Sequence, residues 1–310
     1  MEFKHLPIML SECIEGLNIK ENGIYFDGTL GGGGHSGEIL KSLKGGKLIA
    51  TDLDVEAIAA AKKRLEGHGD KFIPVNSNFK NFKSVVEDLG YDGLDGILLD
   101  LGVSSYQLDN RERGFSYMAS ETELDMRMNP SQELSAKKVV NEYSKEQLEY
   151  ILSTYGEERF SSKIAAEIIK RRENRQIQTT GELVDIITAA IPKKFQQEGH
   201  PAKRTFQAIR IEVNGELDGL KECIYEMVGF LKKGGRIAII TFHSLEDRIV
   251  KQCFKDLETE CICDKRLPVC VCGKKKEIEV LTRKPLIADK QEMIFNPRAK
   301  SAKLRIAEKL

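Results

Sequence analysis

No run of about 18 or more apolar residues occurs in this sequence, which excludes a transmembrane helix from the reading. The N-terminal stretch "MEFKHLPIML" has no basic region, apolar core or cleavage site of a secretory signal, so a cytoplasmic protein without a membrane partner is expected. A disulfide framework is missing as well. The cysteines number seven, an odd count, and four crowd between Cys261 and Cys272, so reduced thiols are the default. No internal repeat or low-complexity tract is present. Net charge is also absent, with 48 Lys/Arg against 48 Asp/Glu, but the balance is uneven along the chain. From Cys261 to Leu310 there are 13 Lys/Arg against six Asp/Glu, so a basic tail follows an acidic body and permits a polyanionic partner.

What is present is alternation. Short apolar runs at 23–28 ("GIYFDG"), 47–52 ("KLIATD"), 71–76 ("KFIPVN") and 95–102 ("DGILLDLG") are bounded by Gly, Asp or Asn. Between the first three lie "SGEILKSL" and "VEAIAAAKKRLEG", with apolar positions at helical spacing. This pattern predicts an α/β fold with a mostly parallel sheet covered by helices on both faces. From about residue 108 the rhythm turns helical: "SKEQLEYILSTYG" opens on a Ser144/Gln147 capping box, and "TTGELVDIITAAIP" opens on Thr179/Glu182 and stops at Pro192. The α/β rhythm resumes with the helix "LDGLKECIYEMVGFLKKGG" and the strand "RIAIITF". The expected division is a discontinuous α/β domain of residues 1–107 and 205–310, with a helical insertion at 108–204.

Four consecutive glycines, Gly31 to Gly34, follow the first strand, and a bare backbone is entropically costly unless a ligand or turn needs it. Gly32-x-Gly34-x-x-Gly37 with Asp52 about 20 residues on matches a dinucleotide fingerprint. Asp27-x-x-x-Gly31-x-Gly33 equally resembles the S-adenosylmethionine loop of Rossmann-like methyltransferases. A carboxylate before the glycines favours the methyl donor, because it attracts an amino group where a dinucleotide would bring pyrophosphate. Asp27, Asp52 and Asp100 each end an apolar strand, so all three are expected along one ligand-facing edge of the sheet.

The segments "HLPIML", "DGTLGGGGHS", "DGILLDLGVSSYQLDNRERGFSY", "LDMRMNP", "YGEERFSSKIA", "RTFQAIRIEVNGEL", "ITFHSLEDRIVK" and "NPRAKSAKLR" together resemble the RsmH family, also called MraW, from about residue 5 to residue 308. The resemblance implies a Rossmann-like S-adenosylmethionine-dependent methyltransferase with a seven-stranded sheet and an inserted helical domain. It implies methylation of the exocyclic N4 of a cytidine in 16S rRNA, at the decoding centre (P-site region) of the small ribosomal subunit. The family's donor-binding positions fall on Gly33, Gly34, His35, Asp52, Phe79, Asp100 and Gln107, with Asp52 on the ribose and Phe79 over the adenine. The sequence departs from the D/N/S-P-P-aromatic tetrad common among amino-methyltransferases: it has "DLGVSS", in which Asp100 holds the first place and Ser104 and Ser105 are candidates to bond the target base.

Methylating an exocyclic amine needs alignment and an outlet for a proton. Asp100 is the first candidate acceptor, and His243 in "TFHSLEDR" the second, beside the alternative that it only packs. The target base must be single-stranded or extruded to reach such a pocket. Arg111, Arg113 and Phe115, together with Arg204 and Arg210, are the expected RNA contacts, by phosphate pairing and stacking. Cys261-x-Cys263-x6-Cys270-x-Cys272 offers four soft ligands for zinc, although C-x-C is tighter than the usual C-x2-C knuckle, so free thiols and disulfides stay open. Two rival readings also stay open, an NAD-dependent oxidoreductase and a non-catalytic RNA-binding assembly factor, as do monomer and homodimer and methylation of DNA or protein instead of RNA.

Overall fold

A computed structural model describes residues 7–103, 111–196, 199–264 and 269–310. The chain forms two compact units, Met1–Gly102 with Leu217–Leu310, and Val103–Glu216.

The first unit is built on a seven-stranded sheet: β1 (Ile24–Asp27), β2 (Lys47–Asp52), β3 (Phe72–Asn76), β4 (Leu94–Asp100), β5 (Leu231–Thr241), β6 (Ile278–Val280) and β7 (Lys303–Lys309). Their order is β3-β2-β1-β4-β5-β7-β6. β1 through β5 pair in parallel, whereas β7 runs antiparallel to both β5 and β6. The strand period of two explains why the central strands read as unbroken apolar runs. Phe26, Ile49, Ile97, Leu99, Ile237 and Ile239 enter one core, and their neighbours Tyr25, Leu48, Leu98, Ala238 and Ile240 enter the core on the opposite face. Truncating one of these fully buried isoleucines to alanine costs about 3 kcal/mol.

The strand order reverses between β1 and β4, which leaves their carboxyl ends as the place where a ligand meets the sheet. The helices α1 (Leu10–Leu17), α2 (Gly34–Ser42), α3 (Val55–Leu65) and α4 (Phe82–Asp88) belong to this half of the unit.

The second unit is helical. Its helices α5 (Ala136–Glu142), α6 (Lys145–Thr154), α7 (Ser161–Asn174), α8 (Thr180–Ala190) and α9 (Lys203–Asn214) enclose their own core, including Leu148, Ile151, Ile164, Ile168, Leu183 and Ile187. Both anticipated capping boxes form, Ser144 with Gln147 and Thr179 with Glu182. The changeover at the end of this unit falls after Glu216 rather than after residue 204. The reason is α9, which buries Phe206, Ala208, Ile209 and Val213 in the helical core.

The sheet is completed after α10 (Leu220–Phe230), α11 (Ser244–Glu258) and α12 (Lys290–Phe295). The basic tail is partly structural. Arg305 on β7 is buried and its Nε donates to Asp247 Oδ1 at 2.7 Å, Lys303 pairs with Asp247 at 3.1 Å, and Lys309 with Glu277 at 3.3 Å. Those three cations serve the fold rather than a polyanion. Among the described residues, no helix is long and apolar enough to cross a membrane.

Candidate functional site

The glycine turn is held by acids at the strand ends. Asp27, closing β1, is buried; its Oδ1 accepts from the Thr29 amide at 3.0 Å and its Oδ2 from Ser36 Oγ at 2.6 Å. Burial raises its pKa, opposed by the Ser36 hydrogen bond. Its charge is therefore absorbed by the turn and by the first turn of α2, and the expectation that it faces a ligand amino group gives way to an organising role. Asp52, closing β2, accepts from the Gly31 amide at 2.7 Å and from the Asp54 amide at 2.9 Å, and remains half-buried with its pKa raised by burial.

Each glycine answers a separate need. Gly33 sits at φ +74°, a left-handed conformation that costs an L-residue about 1–2 kcal/mol, and it caps α2 without a side chain, leaving the first-turn amides of that helix uncapped by any side-chain oxygen. A Cβ on Gly34 would collide with Pro7, whereas one on Gly32 would meet nothing within 4 Å. Gly32 is thus the bare, outward point of the turn.

Asp100 closes β4 beside this turn. Its amide donates to Thr29 Oγ1 at 2.6 Å, its Oδ2 lies 3.8 Å from His35 Nδ1, and its Oδ1 is buried with no hydrogen-bond partner among the described residues. Burial pushes its pKa up to about 6, against the opposing pull of His35. A buried acceptor without a donor costs about 1–3 kcal/mol, so its persistence points to use by something that binds there. His35 is itself buried, with Nε2 3.0 Å from the Ile8 carbonyl. A carbonyl only accepts, so Nε2 carries a proton, and Nδ1 is the ring nitrogen that faces Asp100.

Phe79, half-buried after β3, follows Asn78, whose side chain caps the turn, and its Cβ lies where a side chain on Gly28 would have to go. The His243 side chain is buried: Nδ1 accepts from the Glu246 amide at 3.4 Å to cap α11, while Nε2, 3.1 Å from Glu246 Oε1, makes no hydrogen bond among the described residues. Asp100 Oδ1 and His243 Nε2 are thus both buried polar atoms that make no hydrogen bond among the described residues. Ser104, Ser105 and Gln107 lie outside the described residues, as does the side chain of Arg111.

In the helical unit the expected RNA contacts divide. Phe115 is buried in the helical core, so it cannot stack on a base. Arg113 Nη2 donates to the carbonyls of Arg127 and Met128 at 2.8 and 3.2 Å. Arg210 makes a two-pronged pair with Glu216, both contacts 2.8 Å. These three hold the fold. Arg204 is exposed, with Nη1 donating to the Glu157 carbonyl at 3.1 Å. What the sequence reading missed is "KKF": Phe195 is exposed, Lys194 Nζ lies 4.9 Å from its ring centroid, and Lys193 precedes them. Lysines interleaved with an aromatic were the available signal. Thr29 and Ser36, which tie the acids to the turn, were also missed, because a hydroxyl in a loop reads like any other.

Comparison with known proteins decides between the readings of the glycine turn. The pattern of the MraW methylase family matches residues 2–310. The chain belongs to the MraW methylase family. It is 57% identical, over 311 residues covering 100% of both chains, to the Ribosomal RNA small subunit methyltransferase H of Clostridium botulinum (strain Kyoto / Type A2). It is 54% identical over 312 residues, again 100% of both, to the protein of that name from Finegoldia magna. A solved rRNA methylase from Streptococcus thermophilus aligns over 99% of both chains at 12% identity with a TM-score of 0.42, too remote to bear on function. Membership of the MraW family sets aside the oxidoreductase reading and accounts for the Rossmann-like methyltransferase sheet with its helical insertion.

Proposed function

We propose that this protein transfers the methyl group of S-adenosylmethionine to the exocyclic N4 of one cytidine of 16S rRNA, at the decoding centre (P-site region) of the small ribosomal subunit. The observation that carries the reading is the full-length likeness, at 54–57% identity, to proteins named Ribosomal RNA small subunit methyltransferase H. The site fits such a donor: a bare turn at Gly31–Gly34, a half-buried carboxylate at Asp52, an aromatic at Phe79, and the orphaned Asp100 oxygen at the end of β4. S-adenosylmethionine supplies an electrophilic methyl group. Asp52 would hold the ribose hydroxyls, Phe79 would cover the adenine, and the glycines with His35 would bound the donor, with Gln107 assigned to it by the family resemblance alone.

Asp100 does the work on the target amine. The N4 lone pair of cytosine is delocalised into the ring, and an ionised carboxylate accepting an N4 hydrogen favours the pyramidal nitrogen that attacks. A carboxyl with a pKa of about 6 is ionised at neutral pH yet basic enough to take the proton afterwards. His35 Nδ1, 3.8 Å away, helps hold that carboxylate in place. The base must be single-stranded or extruded to reach this depth, at a cost of a few kcal/mol. Arg204 and the Lys193–Phe195 turn are the groups of the helical unit suited to phosphate and base.

The test offers methyl-tritiated S-adenosylmethionine and equal masses of unmodified small subunits, duplex DNA and ribosomal proteins. Label confined to rRNA is expected. Label in DNA or protein overturns the substrate, and donor binding without transfer supports the assembly-factor reading instead.

A further inference from the structure

Between Leu257 on α11 and Ile278 on β6 no described residue is buried. Ile262, Val269 and Val271 point into solvent, so the segment's described residues form no apolar core of their own. Its order comes from sulfur. The Sγ atoms of Cys261, Cys263, Cys270 and Cys272 all lie within 4.8 Å of one another. The separations are 3.4 Å for Cys261 to Cys270, 3.9 Å for Cys263 to Cys270, 3.5 Å for Cys270 to Cys272 and 3.8 Å for Cys272 to Cys261. A tetrahedron with metal–sulfur bonds of about 2.3 Å has edges of about 3.8 Å, so these spacings are those of four thiolates around one ion. A disulfide, with its bond of about 2.05 Å, would draw two sulfurs together instead of gathering four.

The backbone is arranged to match. The Ile262 amide, in the middle of the first Cys-x-Cys pair, donates to Cys272 Sγ at 3.5 Å, and the Val271 amide, in the middle of the second, donates to Cys263 Sγ at 3.3 Å. The Cys263 amide donates to Cys261 Sγ at 3.4 Å. This crossed pattern puts amide dipoles on three of the four sulfurs, as thiolates require when they share a cation. It also answers the objection that one intervening residue is too few, since Cys270 and Cys272 present their sulfurs side by side. The segment's far end is fixed by Lys276, which pairs with Glu279 at 3.1 Å and lies 3.9 Å from Glu258.

We propose that Cys261, Cys263, Cys270 and Cys272 form a tetrahedral zinc site that folds the segment between α11 and β6. Binding replaces four S–H bonds by four Zn–S bonds and releases four protons, with no oxidation, leaving the centre with a net charge of −2. Lys274 and Lys275 follow directly in sequence and offset that charge. Soft thiolates in tetrahedral array select zinc over calcium or magnesium. The role is structural: the ion substitutes for the core this excursion lacks.

The experiment uses the full chain, purified anaerobically, stripped and reloaded with Zn²⁺ or Co²⁺ alone. About one zinc per chain is expected, released on titration of the exposed thiols with a mercurial, and the Co²⁺ form should show the intense visible bands of tetrahedral four-thiolate cobalt. Cys261→Ser and Cys270→Ser should each lower zinc retention by at least about tenfold. The spectrum of the unsubstituted chain stands even if a variant misfolds. Weak octahedral cobalt bands, zinc retained equally by the variants, native iron in place of zinc, or a disulfide-containing mass with no metal would each overturn the proposal.

Discussion

Replacing Asp100 with asparagine should make the protein more stable while abolishing methyl transfer. Burial lifts the Asp100 carboxyl from 3.8 to about 6, which means that keeping it ionised in the folded protein costs about 3 kcal/mol. The side chain is 26% exposed, so solvent screens only part of that penalty and the figure is a ceiling. The sign follows from linkage: the folded state binds this proton more tightly than the unfolded chain. The stabilising contribution of the protonated carboxyl is therefore complete below pH 3.8 and is lost as pH rises through about 6. An asparagine amide at this position carries no charge to bury. The difference between Asp100→Asn and the unsubstituted protein should accordingly be small around pH 4, about half developed by pH 5 and level above pH 7 at no more than about 3 kcal/mol. Paired urea denaturation curves across pH 4–8 measure it, and taking the difference cancels the titration of groups that Asp100 does not influence. A difference that does not vary with pH, or a variant less stable at pH 8, would refute the assignment of a strained, ionised Asp100.

The same carboxyl should govern the rate: kcat/KM for methyl transfer should fall about tenfold for each pH unit below about 6 and level off above it, a limb that single-turnover measurements across pH would detect. In the glycine turn, Gly33→Ala should cost about 1–2 kcal/mol because of its positive φ, while Gly32→Ala should leave stability within about 0.5 kcal/mol, a contrast read from paired melting curves. Arg210→Ala should destabilise by about 3 kcal/mol, because it leaves Glu216, 6% exposed, without its guanidinium, and should leave the salt dependence of rRNA binding unchanged. Lys193→Ala with Lys194→Ala should do the reverse, lowering the salt slope of binding by about one to two at constant melting temperature.

The short apolar strands were the most legible part of the fold. β1 to β4 lie within two residues of their apolar runs. β7 was hidden in what reads as a basic tail. "KLRIAEK" carries Arg305 into the interior, and only the structure reveals Asp247 waiting for it. β5 starts five residues earlier than its apolar run, where Leu231 pairs with Leu94 across a register irregularity. The helix Lys203–Asn214 was not read from the sequence, and its apolar face joins the helical core rather than the sheet. In the site, the three acids were foreseeable from their places at strand ends. Which of them is free was not, since that depends on Ser36 and Thr29 closing over Asp27 while leaving Asp100 Oδ1 without a donor among the described residues. The arginines misled for the same reason. A cation's partner, such as Glu216 for Arg210, is fixed by three-dimensional approach and not by local charge.

The central claim concerns the atom that receives the methyl group. Small subunits purified from cells lacking this modification, incubated with the protein and methyl-labelled S-adenosylmethionine, can be digested to nucleosides and separated by liquid chromatography with mass detection. The account predicts the label in N4-methylcytidine at a single site of 16S rRNA, and none when Asp100→Asn replaces the active protein. Label in 5-methylcytidine, in a methylated adenosine, or undiminished in the Asp100→Asn reaction would contradict it.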